Sequence, residues 1–486
     1  MMVATWLLTS FQMNKIADMS RNIIFILTSM FFFLSSTMSL GEEKESKQES
    51  SFKLLRSDES YSYLANQNEL SDWETFKYIP LNKANDIVLT LGGEFRPRFE
   101  LFNNRLWDKE RDQNYYSHRL ALHSNIQFGE KVRFFSELYH GFVDEEEEFA
   151  ESDKVDLHQG FIEYQILNDG VGWKYTLGRQ ELALGAARLV GIREGPNIRR
   201  SFDMIKVQRV GNLNLQFFLG KEVIPSFDAF DNGSNFFGEN NRNNPTLWGI
   251  YSKFKIKGDV GSNELYLLGF DVDSASYNDI TDEERRYTLG LRRFGTIGEG
   301  FQYNTELMYQ FGDVGPNDIE AFNIETDWHY HFRRYPMKPS LGLKLEWSTG
   351  DNKVNDGEIN TFNPMFVNPN YYGISEVITP ANIISIHPSL TLHPTNKVQL
   401  YFEWAVFKRE SNNDGLYRVT RFISRDANLG DSNSIGEQFG TKVKYEINNH
   451  WSFDIDISYF KAGRFLKQSG DSENILHVSS QFKFIF

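Results

Sequence analysis

The sequence predicts an all-β, membrane-spanning, antiparallel up-and-down β-barrel of about 18 strands. Three observations predict it. The composition is short of aliphatics and rich in rings: apolar residues are 40%, yet 42 Phe, 22 Tyr and 9 Trp make the chain 15% aromatic. Globular domains hold roughly 45–50% apolar residues, whereas a barrel with a polar interior and aromatic girdles needs fewer. Segment after segment alternates apolar and polar residues with period two. The gaps between those segments alternate long and short, as in barrels with short periplasmic turns and long extracellular loops.

Charge and cysteine content narrow the partners. The 51 Lys and Arg against 66 Asp and Glu give a net charge of −15. Such acidity gives no support to a nucleic-acid partner. Cysteine is absent, so disulfides, zinc–thiolate sites and cysteine nucleophiles fall away.

The amino terminus reads as a secretory signal over 1–40. Residues 23–34, IIFILTSMFFFL, form a short apolar run. Lys15 and Arg21 precede it, and Ser35, Ser36, Thr37 and Ser39 follow. Positive flank, apolar core and small residues are the order of an export signal. The run is too short to cross about 30 Å of hydrocarbon as a helix. Met19 is a second plausible start. Residues 41–85 read as a periplasmic lead-in, polar and mobile over 41–60. No later stretch has the roughly 18 consecutive apolar residues of a membrane helix.

The barrel is expected over 86–486. Its strand cores are 86–102, 115–128, 131–142, 154–166, 172–180, 199–208, 212–220, 246–257, 262–272, 285–294, 300–312, 320–331, 337–348, 384–393, 397–407, 436–447, 450–462 and 474–486. In the first, Ile87, Leu89, Leu91, Phe95, Pro97, Phe99 and Leu101 share one face, and Thr90, Glu94, Arg96, Arg98 and Glu100 the other. Arginine facing lipid near the midplane costs about 2–4 kcal/mol, so Arg96 and Arg98 point inward. The same alternation turns Arg119, Arg133, Glu137, Glu306, Lys344, Glu346, Glu403, Asp454 and Asp456 inward, a lumen of mixed sign. The long gaps are 103–114, 143–153, 181–198, 221–245, 273–284, 313–319, 349–383, 408–435 and 463–473. The last strand ends QFKFIF, with Phe482, Phe484 and Phe486 on one face. A terminal aromatic fits the interfacial girdle, and Phe486 resembles the signature read by outer-membrane assembly machinery.

Chemistry concentrates at 178–203, GRQELALGAARLVGIREGPNIRRSFD. Arg179, Arg188, Arg193, Arg199 and Arg200 fall there with Glu181, Glu194 and Asp203. Guanidinium forks match carboxylates bidentately. Two readings follow: a constriction that passes a negatively charged sugar polymer, or a salt-bridged loop packed inside the barrel. The acidic run 144–148 reads as a solvated loop. DNKVNDGE at 351–358 only faintly resembles a calcium loop, because its glycine is one place late. No nucleophile elbow, zinc-protease motif or P-loop occurs, so neither an enzyme nor a cofactor is expected.

Residues 178–203 also resemble the alginate-export family of outer-membrane barrels. LGGEFRPRFE at 91–100 is similar to that family's first strand. STGD at 348–351, TFNPMF at 361–366 and YYG at 371–373 resemble its long late loop. Residues 387–404, DGLYR at 414–418 and 435–466 resemble its carboxy-terminal third. The resemblance implies an 18-stranded barrel and diffusion of an anionic polysaccharide through an arginine-rich pore. Arg179, Glu181, Arg188, Arg193, Glu194, Arg199 and Arg200 fall on its motif as pore-lining candidates, and Arg96 and Arg98 on its first strand. The expected protein is a monomeric channel in the outer membrane of a Gram-negative bacterium, bounded by outer-membrane lipid. Its cargo is an acidic polysaccharide or oligosaccharide. The rivals are a general or nutrient porin and a non-transporting adhesin or structural barrel.

Overall fold

The computed structural model describes residues 52–67, 69–145, 150–234, 236, 244–258, 260–418 and 423–486. The export signal expected at 1–40 and the acidic residues 146–148 lie outside the described residues. Eighteen antiparallel strands form a closed barrel. They are β1 Ile87–Asn103, β2 Gln113–Phe128, β3 Val132–Val143, β4 Asp153–Asn168, β5 Val171–Gln180 and β6 Phe202–Val210. Then come β7 Leu213–Glu222, β8 Thr246–Phe254, β9 Gly261–Tyr277, β10 Ile280–Ile297, β11 Phe301–Val314 and β12 Asn317–His331. The last six are β13 Ser340–Ser348, β14 Ile383–Leu392, β15 Val398–Lys408, β16 Ser434–Glu446, β17 Trp451–Ala462 and β18 Ile475–Ile485. Each expected core overlaps one of these strands, but 199–201, expected in strand, precede β6, and 337–339 precede β13. The barrel closes where β18 pairs with β1, from Glu94 opposite Ile485 to Asn103 opposite Leu476. Pairing across that seam lapses at Arg96 and Pro97; proline has no N–H to give the ladder.

Alternation decides which residues face out. On β1, Phe95 and Phe99 are 39% and 58% exposed while Arg96 and Arg98 are 1% and 7%. Phe402 and Trp404 on β15 and Ile457 and Tyr459 on β17 face out in the same way. A belt of exposed leucine, isoleucine and aromatic side chains is what lipid requires of a barrel.

Two of the expected long loops are tight turns instead. Strands β9 and β10 run on to Asn278-Asp279, and β11 and β12 to Gly315-Pro316. Asn278 and Gly315 take the positive φ values, 46° and 54°, that such turns favour. These strand ends carry few apolar residues on either face, so they show no period-two pattern.

The described part of the lead-in is folded rather than mobile. Short 3-10 turns at Arg56–Asp58, Ser62–Asn66 and Glu74–Phe76 sit at the end of the barrel that carries the short connections. Arg56 pairs with Glu94 at 3.0 Å, and the Thr90 hydroxyl donates to the Lys77 carbonyl at 2.8 Å. Gly93 still exchanges backbone hydrogen bonds with Phe486 at 3.0 Å; beyond it the edge of β1 is left by β18, and Ile79–Pro80 pairs there with Leu89 and Val88.

The bore is not uniformly polar. Loops 181–201 and 349–382 fold inward and touch at a bridge between Val190 and Phe366. They pack on inward side chains of β6–β12, among them Phe202, Met204, Leu268, Phe270 and Met308. One side of the barrel is therefore filled by an apolar core, and the open space lies against the other.

Candidate functional site: the inward loop and the open side of the bore

Glycine lets the loop leave β5. Gly178 sits at φ 129°, where an added Cβ would meet the Gly160 carbonyl oxygen at 2.3 Å. From there Glu181 to Ser201 runs across the bore, and its arginines fasten it on both sides. Arg179 forks onto Asp203 at 2.9 and 3.2 Å. Arg188 reaches Glu306 at 3.2 Å and Glu325 at 3.0 Å on β11 and β12. Arg193 donates to the Ile198 carbonyl at 3.1 Å. Arg199 bonds Glu194 and lies 3.3 Å from Glu181. Arg200 holds Glu222 at 2.7 Å and the carbonyls of Gly191 and Phe366 at 2.9 and 2.8 Å.

The wall answers from the other direction. Arg96 donates to the carbonyls of Glu194 at 2.7 Å and Pro196 at 2.9 Å. Arg98 donates to the Gly195 carbonyl at 2.7 Å and to Glu151 at 3.0 Å. Arg119 bridges Glu94 and Glu194 at 2.9 and 3.0 Å. Buried charges survive only when paired and hydrogen-bonded in this way. The arginines therefore fix the shape of the loop.

A cavity of about 710 Å³ remains between this loop, residues 368–376 and the wall formed by β12–β18 and β1. Of the nine candidate residues, Arg96, Arg98 and Glu194 line it; Arg179, Glu181, Arg188, Arg193, Arg199 and Arg200 do not. Its volume falls within the roughly 300–1,000 Å³ typical of small-molecule sites. Across the wall the strand register sets Tyr401 beside Lys442 and Lys442 beside Asp456. One layer nearer the short turns it sets Gln399 beside Lys444, Lys444 beside Asp454, and Asp454 beside Gln481. Ion pairs here are looser than in the loop: Lys442 to Asp456 and Lys344 to Glu403 are 3.5 Å, and Lys483 to Glu194 is 3.7 Å. The lining holds six lysines and arginines against seven aspartates and glutamates, so its signs nearly balance.

Lys344, Glu403, Asp454 and Asp456 were expected to face inward, and they line the cavity. The expected inward set omits Lys442, Lys444 and Lys483, although the alternation that turns Asp454 inward places them too. The apolar side of the bore also left a trace: Leu265, Tyr266, Leu267 and Leu268 on β9 are apolar on both faces.

The comparisons agree with this architecture. OpdO of Pseudomonas aeruginosa superposes with a TM-score of 0.57 at 12% identity, over 83% of this chain and 99% of that one. OccK2 (OpdF) of Pseudomonas aeruginosa in complex with glucuronate gives 0.55 at 9% identity, over 84% and 99%. A BenF-like porin from Pseudomonas fluorescens Pf-5 gives 0.54 at 9% identity, over 82% and 98%. At these identities the likeness is one of fold. No curated protein sequence matches the chain. The Alginate export family model matches residues 87–475. With its closed 18-stranded barrel and its porin-like fold, the chain belongs to the alginate-export family of outer-membrane channels.

Proposed function

We propose that this channel passes an acidic oligosaccharide or polysaccharide by diffusion along the open side of the bore. The observation that carries the reading is the row of lysines on that wall, Lys344, Lys442 and Lys483, whose ion pairs are long although Lys344 and Lys442 also donate to the Tyr371 carbonyl and the Asn370 amide oxygen, beside the fixed Arg96 and Arg98. A sugar carboxylate can displace a protein carboxylate from an ion pair 3.5–3.7 Å long more readily than from a bidentate guanidinium fork. Transport needs sites favourable enough to enter and weak enough to leave. The Tyr401 ring, which lines the same cavity, offers a sugar an apolar face.

The same reading takes residues 1–40 as a signal removed on export, Phe486 as a mark for the assembly machinery, and a monomer in the outer membrane of a Gram-negative cell. It requires neither cofactor nor catalysis.

A second reading, a porin for small nutrients, is favoured by the near balance of six basic and seven acidic lining groups. Planar-bilayer recording separates the two. The first predicts stepwise conductance that uronate oligomers block and neutral oligomers of equal length do not. Equal block by both supports the small-solute porin, and no conductance at all returns the chain to an adhesin or structural barrel.

A further inference from the structure

Two segments of the sequence are rich in acids, the solvated run 144–148 and the faintly calcium-loop-like 351–358. Among the described residues neither gathers a ligand set; the one group that does is elsewhere. Ligand atoms of Glu137, His158 and Glu181 all lie within 4.8 Å of one another, and all three residues are buried.

The chain departs from regular β-structure to bring them together. On β3 and β4, Glu137 stands opposite Gln159 while Leu138 stands opposite Leu157. His158 is the extra residue of a bulge. Strict alternation would turn it outward, since Gln159 faces in. The bulge re-aims it, and it is 5% exposed. Glu181 is the first residue after β5. His123 on β2 lies directly opposite Glu137 in register.

Among the described residues, Oε2 of Glu181 in the cluster and Nδ1 of His123 opposite Glu137 are buried with no hydrogen-bond partner. Their side chains are 0% and 3% exposed. Nδ1 of His123 points at Glu137, 4.0 Å from Oε1. Leaving a buried polar atom unsatisfied is costly, and the Glu181 oxygen, inside the cluster, asks for a partner there. The charge balance asks for the same. Arg199 reaches Glu181 at 3.3 Å but is shared with Glu194. Among the described residues no lysine or arginine pairs with Glu137. With Arg199 beside Glu181, Glu137 is the carboxylate of the cluster that has no lysine or arginine of its own.

We infer that Glu137, His158 and Glu181 form a buried three-residue site for a divalent transition metal, zinc above all, with a fourth position left to solvent. Imidazole with carboxylate selects zinc and its neighbours over calcium or magnesium, which prefer all-oxygen shells. A supporting shell is in place. The Gln159 amide donates to Oε2 of Glu137 at 2.7 Å, and Tyr139 stacks on His158 with ring centroids 4.0 Å apart. Such outer groups orient metal ligands. His158 Nε2 and Glu181 Oε1 now meet at 2.9 Å; a metal would take the place of that hydrogen bond and join both to Glu137. It would clamp the start of the inward loop to β3 and β4.

The test uses the full chain, free of any oligohistidine tag, folded in detergent and stripped with a chelator. Zn²⁺ and Co²⁺ are then titrated separately. The expected result is one equivalent of each, a visible cobalt absorption band, and X-ray absorption showing imidazole and oxygen ligands at about 2.0–2.2 Å. His158→Gln and Glu137→Gln should each weaken binding more than tenfold, since even outer-shell losses cost 10–100-fold. Gel mobility before and after heating reports whether the variants fold. If they do not, the ligand shell of the wild-type metal decides. Less than a stoichiometric amount of bound metal, a shell without imidazole, or undiminished binding in folded variants would overturn the site.

Discussion

Arg96 on β1 donates to the main-chain oxygen of Glu194 at 2.7 Å, linking residues 98 positions apart across the bore. Its second amino group serves Pro196 O at 2.9 Å and Asn197 Oδ1 at 3.1 Å. One planar fork thus holds the crest of the inward loop against the seam of the barrel.

Arg96→Ala strips three acceptors of their donor at a site that is 1% exposed. An unsatisfied buried group costs about 1–3 kcal/mol, and the three are coupled rather than additive. The expected result is a lower denaturant midpoint and a larger, noisier single-channel current as 181–201 loosens. Arg96→Lys should fall between, because an ammonium cannot reproduce the fork. An unchanged midpoint together with quiet current would show that the loop is held without Arg96.

Lys442 tests the transport path. Its Nζ lies 2.7 Å from Asn370 Oδ1 and 3.5 Å from Asp456. Lys442→Glu changes the lining from six basic and seven acidic groups to five and eight. Reversal potential in a salt gradient should shift toward cation preference, and block by uronate oligomers should weaken several-fold. The variant is expected to fold, because the position borders open space rather than a packed core. Selectivity equal to wild type would remove this wall from the path.

Lys77 gives a pH signature. The residue is 3% exposed, and its ammonium has no hydrogen-bond partner among the described residues and lies over the Tyr61, Phe52 and Phe486 rings at 4.9, 5.7 and 5.7 Å. Burial lowers its pKa from 10.5 to about 8. Between those values the unfolded chain holds a proton that the folded chain has released. Stability from this group therefore rises with pH from about 8 to 10.5, and sits at its lower level below 8. Lys77→Met should be more stable than wild type at pH 7, and the gap should narrow by pH 10. Denaturant midpoints of both proteins at the two pH values check this; a constant gap would refute it.

Much of the barrel was legible because lipid imposes a rule on every strand. Phe95, Phe402 and Ile457 had to face out, so Arg96, Glu403 and Asp456 had to face in. The rule stops where the membrane stops, and so the strand ends meeting at Asn278 and Gly315 read as loop. Pattern could also place arginines near 178–203 without naming their partners. Arg188 finds Glu306 and Glu325 far along the chain, and only the closed fold brings them within 3.2 Å. The bulge that turns His158 inward breaks the very alternation used to read the strands. The folding of 52–66 was hidden for another reason: its anchors, Glu94, Arg133 and Arg199, belong to the barrel wall and the inward loop.

That segment is the last prediction. Leu54 lines the cavity, and its carbonyl accepts from Arg199 at 3.0 Å. The Ser57 carbonyl accepts from Arg133 at 2.5 Å, and Arg56 holds Glu94 at 3.0 Å. Leu64, 2% exposed, is buried within the segment. Deleting 52–66 removes this filling from the short-turn end while leaving Ile79–Pro80 on the free edge of β1. Glu94 keeps Arg119, so the wall stays paired. The expected result is higher single-channel conductance with little change in ion selectivity, because the lysine wall is untouched. Conductance equal to wild type would mean that the narrowest passage lies at the inward loop alone.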